Sequence, residues 1–70
     1  MSEGISGGSR YYVGIDVGSV SVDIAVLDEA GQIVETKYIR HHGRPIQTAG
    51  TALRETVEAL GRDRILGVAA

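Results

Sequence analysis

The sequence predicts an α/β fold, with the elements in the order β-β-β-α-β and a mixed sheet whose strands lie in the order 3-2-1-4. Between Tyr11 and Arg40, three stretches alternate apolar and polar residues with the period of two that is typical of β-strands. From Ile46 to Leu60 the apolar residues recur at steps of three and four, the period of an amphipathic helix. Such a helix can carry the chain back along the sheet, so the strand after it is expected to run parallel to the first.

The first two strands are predicted at Tyr11–Val17 and Val20–Asp28. One parity of these strands is apolar throughout, with Tyr11, Val13, Ile15 and Val17 in the first and Val20, Val22, Ile24 and Val26 in the second. Gly18–Ser19 suits a tight hairpin turn between them, because Gly adopts positive φ angles without steric cost. Ala25 and Leu27 lie on the other parity, so this half of the second strand is expected to be buried on both faces, as in a central strand.

The second turn is predicted at Asp28–Gly31, with Gly31 as a left-handed residue. The third strand follows at Gln32–Arg40. One of its faces is rich in charged residues, which favours a strand at the edge of the sheet.

The helix is predicted at about Ile46–Leu60, preceded by Pro45, which fits the first helical turn because its missing N–H costs nothing there. Its apolar face is expected to consist of Ile46, Ala49, Leu53, Val57 and Leu60. Gly61 is a plausible C-terminal cap. The short apolar run Ile65–Ala70 is the predicted fourth strand.

Two regions are expected along the chain. Met1–Arg10 is predicted to be a flexible tail, because six of its ten residues are Gly or Ser. Residues 11–70 form one unit, in which a single helix can cover only one face of the sheet. The other face also carries apolar residues, so we expect the chain to be part of something larger or to associate through this face.

The composition excludes several classes of protein. The chain has 70 residues and no Cys, so it contains no disulfide, no thiolate zinc site and no ligand for an iron–sulfur cluster. Lys and Arg number 7 against 9 Asp and Glu, and a net charge of −2 argues against binding to nucleic acid. No apolar run approaches the roughly 18 residues of a membrane span, and the N-terminus lacks a signal-peptide pattern. The cytoplasm is therefore the expected location, with no membrane contact.

A candidate phosphate site lies at the first hairpin. The turn can present the consecutive backbone N–H groups of Gly18, Ser19, Val20 and Ser21 to an anion, and the two Ser residues add hydroxyl donors. Asp16 and phosphate are both negatively charged, so Asp16 is not expected to bind phosphate directly. Its expected role is to hold Mg²⁺, often through water. A hairpin with ordinary turn residues and a capping Asp fits the same pattern without a ligand. The combination points to a magnesium–nucleotide rather than to a bare anion.

Two longer runs carry a resemblance to known proteins. The run YVGIDVGSVSV at Tyr12–Val22, continuing through Asp28, resembles the first phosphate-binding hairpin of the actin, sugar-kinase and heat-shock-chaperone ATPase superfamily. The later run YIRHHGRP at Tyr38–Pro45 resembles the activator ATPases of 2-hydroxyacyl-CoA dehydratases and benzoyl-CoA reductases, the CoA-substrate-specific enzyme activases. The resemblance spans roughly Tyr11–Ala70.

The resemblance implies a ribonuclease-H-like fold, with residues 11–70 as the N-terminal part of a truncated actin-like ATPase domain. It implies ATP and Mg²⁺ as ligands, bound by the hairpin and by Asp16. Activators of this group are similar in being homodimers that hold one [4Fe–4S] cluster through Cys residues and couple ATP hydrolysis to electron delivery to a CoA-ester dehydratase or reductase. The cluster Cys residues and the second phosphate loop would lie beyond Ala70. The 70-residue chain by itself is therefore expected to be inactive and to carry no cluster.

Five polar residues need a separate interpretation. Asp23 stands where many members of the group carry Lys, and a carboxylate there argues against direct phosphate contact. His41 and His42 are adjacent, so on an extended chain they point to opposite sides and are not expected to share a metal ion. They are expected to shape a loop or to belong to a partner surface. With Arg40 and Arg44 they form a small basic patch.

Three alternatives remain open at the level of sequence. The first is a sugar-type or acetate-type kinase of the same superfamily, for which no general base can be assigned. The second is a ribonuclease-H-like, metal-dependent nuclease, in which an Asp of the first strand also binds Mg²⁺. The third is a fragment that serves only for association.

Overall fold

The computed structural model describes residues 9–70. Its elements are β1 (Tyr11–Val17), β2 (Ser21–Asp28), β3 (Ile33–Arg40), α1 (Pro45–Leu60), a short 3₁₀ helix (Arg62–Arg64) and β4 (Ile65–Ala69). The four strands form one mixed sheet in the order β3-β2-β1-β4, which confirms the predicted order. The 3₁₀ helix was not predicted. Most of the predicted N-terminal tail, residues 1–8, lies outside the described residues.

The strand pairing fixes which residues share a face of the sheet. β1 and β2 are antiparallel, with Val13 opposite Val26 and Ile15 opposite Ile24. β2 and β3 are also antiparallel, whereas β1 and β4 are parallel, as the crossover through α1 predicts. Residues directly opposite one another point to the same face. The apolar parity of the first hairpin therefore forms one continuous surface.

The core lies between this surface and α1. Its buried side chains are Val13, Val22, Ile24 and Val26 from the sheet and Ala52 from the helix. Burial of a Val or Ile side chain stabilises a protein by about 1.5–3 kcal/mol. The core is thus concentrated on β1 and β2, and the rest of the fold is arranged around them.

The helix packs largely with the predicted face, since Ala49, Leu53 and Leu60 lie against the core. Its most buried positions and its first turn differ from the prediction. Ala52 and Thr56 are its buried residues, whereas Ile46, which was predicted to face the core, is 77% exposed. Thr56 can be buried because its hydroxyl donates to the Ala52 carbonyl at 2.8 Å and accepts from the Lys37 ammonium group at 3.2 Å. The pattern of apolar residues could not show that a Thr would occupy a buried position on the helix.

The other face of the sheet has no covering element in residues 9–70. Ala25 and Leu27 are only half-buried there, so the prediction that this half of β2 is buried on both faces is wrong, although β2 is central in the sheet. Tyr12 is about half exposed, and Tyr38 is largely exposed. A shallow concavity of about 630 Å³ crosses this open face, and small residues such as Gly14 and Ala25 form its floor.

Two predicted glycine roles are confirmed. Gly31 has a φ of 87° in the turn between β2 and β3. Gly61 has a φ of 100° directly after α1, and its N–H donates to the Val57 carbonyl at 2.9 Å. Only Gly adopts such angles without strain, which explains why the chain turns at these positions. In the described part of the chain, no helix is long and apolar enough to cross a membrane.

The packing of the core can be tested with one chemical change at two positions. Replacing Ile24 with Val removes a buried methylene, so we expect the free energy of unfolding to fall by about 1 kcal/mol. The same change at Ile33, which is 64% exposed, should alter it by less than about 0.5 kcal/mol. Urea unfolding followed by circular dichroism measures both. Equal losses at the two positions would contradict the assignment of the core.

The open face can be tested through self-association. The apolar open face and the two strand edges lead us to expect oligomers of the 70-residue chain in concentrated solution. Tyr38→Lys places a charge on this face and should shift the chain towards the monomer in sedimentation velocity. Gln47→Lys adds the same charge on the exposed side of α1 and should leave the distribution unchanged. A monomeric parent chain would contradict the expectation.

Candidate functional site

The turn between β1 and β2 is closed by its own backbone. The Gly18 N–H donates to the Ser21 carbonyl at 2.8 Å, so this N–H is not available to a ligand. Gly18 does not adopt a positive φ, and a Cβ added there would meet only the Ser21 carbonyl oxygen, at an ordinary 3.5 Å. The sequence-based reason for a Gly at this position, a left-handed turn residue, is therefore wrong.

Two backbone donors of the turn remain open. Ser19 and Val20 are exposed, and within residues 9–70 their N–H groups donate to no acceptor. The Ser19 hydroxyl is equally open in this part of the chain. The Ser21 hydroxyl, in contrast, donates to an Asp23 carboxylate oxygen at 3.1 Å. Of the predicted phosphate contacts, those of Ser19 and Val20 are therefore the ones that this conformation leaves free for an anion.

Two carboxylates lie side by side next to the turn. Asp16 of β1 is directly opposite Asp23 of β2, and both are exposed at one end of the open-face concavity. Like charges placed opposite one another on a sheet are destabilising, by a few tenths of a kcal/mol up to about 1 kcal/mol. The hydroxyl of Ser21 offsets part of this cost through its hydrogen bond to Asp23. A cation between the two carboxylates would offset the rest.

The oxygen ligands of this pair suit Mg²⁺. Magnesium keeps several of its water molecules and is usually bound through one or two carboxylates together with substrate phosphates. In the described residues, no group of three or more His, Cys, Asp or Glu side chains forms a complete metal cage. Asp16 and Asp23 therefore fit a hydrated ion better than a fully coordinated one.

His41 ties the loop after β3 to the turn. Its side chain is buried, and the ring nitrogen Nε2 lies 3.0 Å from the Gly18 carbonyl oxygen. The other nitrogen, Nδ1, accepts from the Gly43 N–H at 3.1 Å, so the proton is on Nε2 and this nitrogen donates to Gly18. The backbone N–H of His41 donates to the Val20 carbonyl at 3.1 Å. The expectation that this residue shapes a loop is confirmed, but its contact with the turn was not foreseen.

The loop itself is a tight turn. His42 and Gly43 have φ angles of 51° and 78°, and the Arg44 N–H donates to the His41 carbonyl at 2.8 Å. Positive φ angles at both central residues define a type I′ turn. His42 is exposed, while both ring nitrogens of His41 are already bonded within the chain. The two imidazoles thus have different roles.

A small cavity of about 160 Å³ lies between this loop and the hairpin turn. We call it the loop cavity, and it is lined by Ser19, Val20, Arg40, His41, His42 and Gly43. It joins the open donors of the turn to the basic patch that the sequence predicted.

Comparison of the chain with protein-family models, with curated proteins and with solved structures finds no match. The functional interpretation therefore rests on the residues and on their geometry.

The contacts of His41 predict a measurable effect on stability. His41→Ala removes both side-chain hydrogen bonds and leaves the Gly18 carbonyl and the Gly43 N–H without these partners. We expect the free energy of unfolding to fall by about 1–2 kcal/mol, with faster amide exchange in both loops. His42→Asn is the control, because Asn tolerates positive φ, and it should change stability by less than about 0.5 kcal/mol. Equal effects of the two changes would contradict the role given to His41.

Proposed function

We propose that this chain is the phosphate-binding N-terminal part of an ATPase with the ribonuclease-H-like, actin-like fold. The observation that carries the proposal is the hairpin tip, where Asp16 precedes a turn with two open N–H groups at Ser19 and Val20. The sheet order with three antiparallel strands, a crossover helix and a parallel fourth strand is the arrangement that the resemblance implies.

The residues of the tip have separate tasks in this proposal. The N–H groups of Ser19 and Val20, with the Ser19 hydroxyl, bind phosphate oxygens of ATP. Asp16, with Asp23 opposite, would hold Mg²⁺ through its water molecules. When bound, the ion neutralises phosphate charge and thereby removes the repulsion between ATP and the carboxylates. Gly18 serves the turn through its bond to Ser21 rather than the ligand.

One hairpin contacts a nucleotide from one side only. Phosphoryl transfer to water needs a positioned nucleophile and charge stabilisation around the γ-phosphate. We therefore expect no useful ATP hydrolysis by this chain alone. The open face of the sheet supports the view that further polypeptide completes the ATPase domain.

The more specific proposal is an activase. The resemblance of the run at Tyr38–Pro45 to the activator ATPases supports it, and this run forms the end of β3 and the loop that contacts the hairpin turn. The complete protein would then be a cytoplasmic homodimer with one [4Fe–4S] cluster between its subunits. It would couple ATP hydrolysis to electron transfer to a CoA-ester dehydratase or reductase. A sugar-type or acetate-type kinase of the same superfamily remains the nearest alternative.

A metal-dependent nuclease is the second candidate, and one observation favours it. The pairing of Asp16 with Asp23 puts two carboxylates at one position, and nuclease sites use such pairs to hold Mg²⁺. The net charge of −2 and the open donors of the turn favour a free nucleotide over a nucleic acid.

The ATP site can be tested by nuclear magnetic resonance on the ¹⁵N-labelled 70-residue chain. Titration with MgATP should shift the amide signals of Ser19 and Val20 in a saturable way, and omission of Mg²⁺ should weaken binding. Asp16→Asn should reduce this dependence on Mg²⁺, because it removes one of the two carboxylate charges next to the ion. Asp63→Asn makes the same charge change in the 3₁₀ helix and serves as the control.

The outcomes separate the candidates. Unchanged Mg²⁺ dependence in Asp16→Asn would refute the metal role of this residue. Tighter binding of duplex RNA or DNA than of MgATP at the same amides would favour the nuclease. Absence of any shift at Ser19 and Val20 with millimolar MgATP would refute the phosphate site.

A further inference from the structure

The loop cavity extends from Ser19 and Val20 of the turn to Arg40, a residue that the hairpin sequence pattern does not include. We infer that it binds a second phosphate group of the same nucleotide, next to the one held by the turn, and that Arg40 supplies the charge. This inference rests on the proposed function, which it deepens by predicting that the chain selects polyphosphates over monophosphates.

The charge of the cavity supports an anion. Its lining contains Arg40 and no Asp or Glu, although the chain as a whole carries a net charge of −2. Within residues 9–70, no carboxylate lies within ion-pair distance of the Arg40 guanidinium group. A guanidinium group binds phosphate through two parallel hydrogen bonds, which makes Arg well suited to this role.

The size of the cavity limits the ligand. A volume of about 160 Å³ corresponds to roughly five water molecules. This is enough for one phosphate group, and because the cavity is open to solvent the rest of the nucleotide can extend out of it.

The backbone of the two loops around the cavity is held in place by His41 before a ligand binds. His41 bonds to Gly18 and Gly43 through its ring and to Val20 through its backbone, with distances of 3.0, 3.1 and 3.1 Å. Within residues 9–70, the N–H of His42 is a further donor without an acceptor. Binding sites that are already ordered lose less entropy when they bind a ligand. His41 is thus a positioning residue for the two loops.

The sheet register places the cavity close to the candidate metal site. Arg40 is opposite Ser21, two residues along β3 from Tyr38, which is opposite Asp23. Arg40 and Tyr38 therefore share a parity, as do Ser21 and Asp23. One polyphosphate can extend from the ion at the carboxylates, past the turn, to Arg40. A monophosphate can occupy only one of these positions.

The inference can be tested with inorganic pyrophosphate and the ¹⁵N-labelled 70-residue chain. We expect pyrophosphate to shift the amide signals of Arg40, His42 and Gly43 together with those of the turn. Inorganic phosphate should bind at least about fivefold more weakly, because it lacks the second phosphate group.

Charge variants test the role of Arg40. Arg40→Gln should raise the dissociation constant for pyrophosphate about fivefold to tenfold, and Arg40→Lys should restore part of the loss, since Lys keeps the charge without the two parallel donors. Arg44→Gln is the matched control, because Arg44 is an exposed member of the same basic patch but does not line the loop cavity. It should change the constant less than twofold.

Failure of the inference and failure of the proposed function give different results. Equal effects of Arg40→Gln and Arg44→Gln would overturn the inference, because they would show a diffuse charge effect. So would MgATP binding that shifts only the turn amides and is insensitive to Arg40→Gln, and in that case the ATP site itself would stand. Pyrophosphate binding in the loop cavity without any MgATP binding at the turn would overturn the proposed function, and with it the nucleotide as the source of the phosphate.

Discussion

The packing of β2 under α1 is the interaction on which the rest of this structure depends. Val22, Ile24 and Val26 are almost completely buried, and they lie in the middle of the surface that the helix covers. β1 and β3 gain their positions by pairing with this strand. The helix in turn buries Ala52 and Thr56. Because a single helix covers a single face, the same arrangement leaves the opposite face of the sheet open.

The hairpin tip lies outside the region that the helix can hold. Val17 and Val20 belong to the apolar parity of the hairpin, but both are about half exposed. Hydrophobic packing therefore does not fix the turn. Hydrogen bonds do so instead, through the ring of His41 on one side and the bond between Gly18 and Ser21 within the turn. A polar clamp of this kind orders the turn and still leaves its remaining donors open to solvent and to a ligand.

Charges of both signs lie around this ordered turn. Asp16 and Asp23 repel one another across the two strands, and Arg40 lines the cavity on the side of the loop. A carboxylate pair is suited to a cation, and the guanidinium group with the open N–H groups is suited to an anion. A magnesium–polyphosphate carries both kinds of charge in one ligand and therefore matches both sites at once.

The sequence by itself determined the order of the elements, and their bounds agree with the structure to within one residue. These bounds follow from local signals, which depend only on residues that are close in sequence. The signals are the alternation on β1 and β2, the helical period, and the turn residues Gly31 and Gly61. Contacts between residues that are distant in sequence decided which polar side chains are buried and how the loops pack together. The Lys37 ammonium group donates to the Thr56 hydroxyl across 19 residues of sequence, and the ring of His41 bonds to the Gly18 carbonyl across 23 residues. Such pairs leave no periodic trace in the sequence, and only the tertiary structure brings them together.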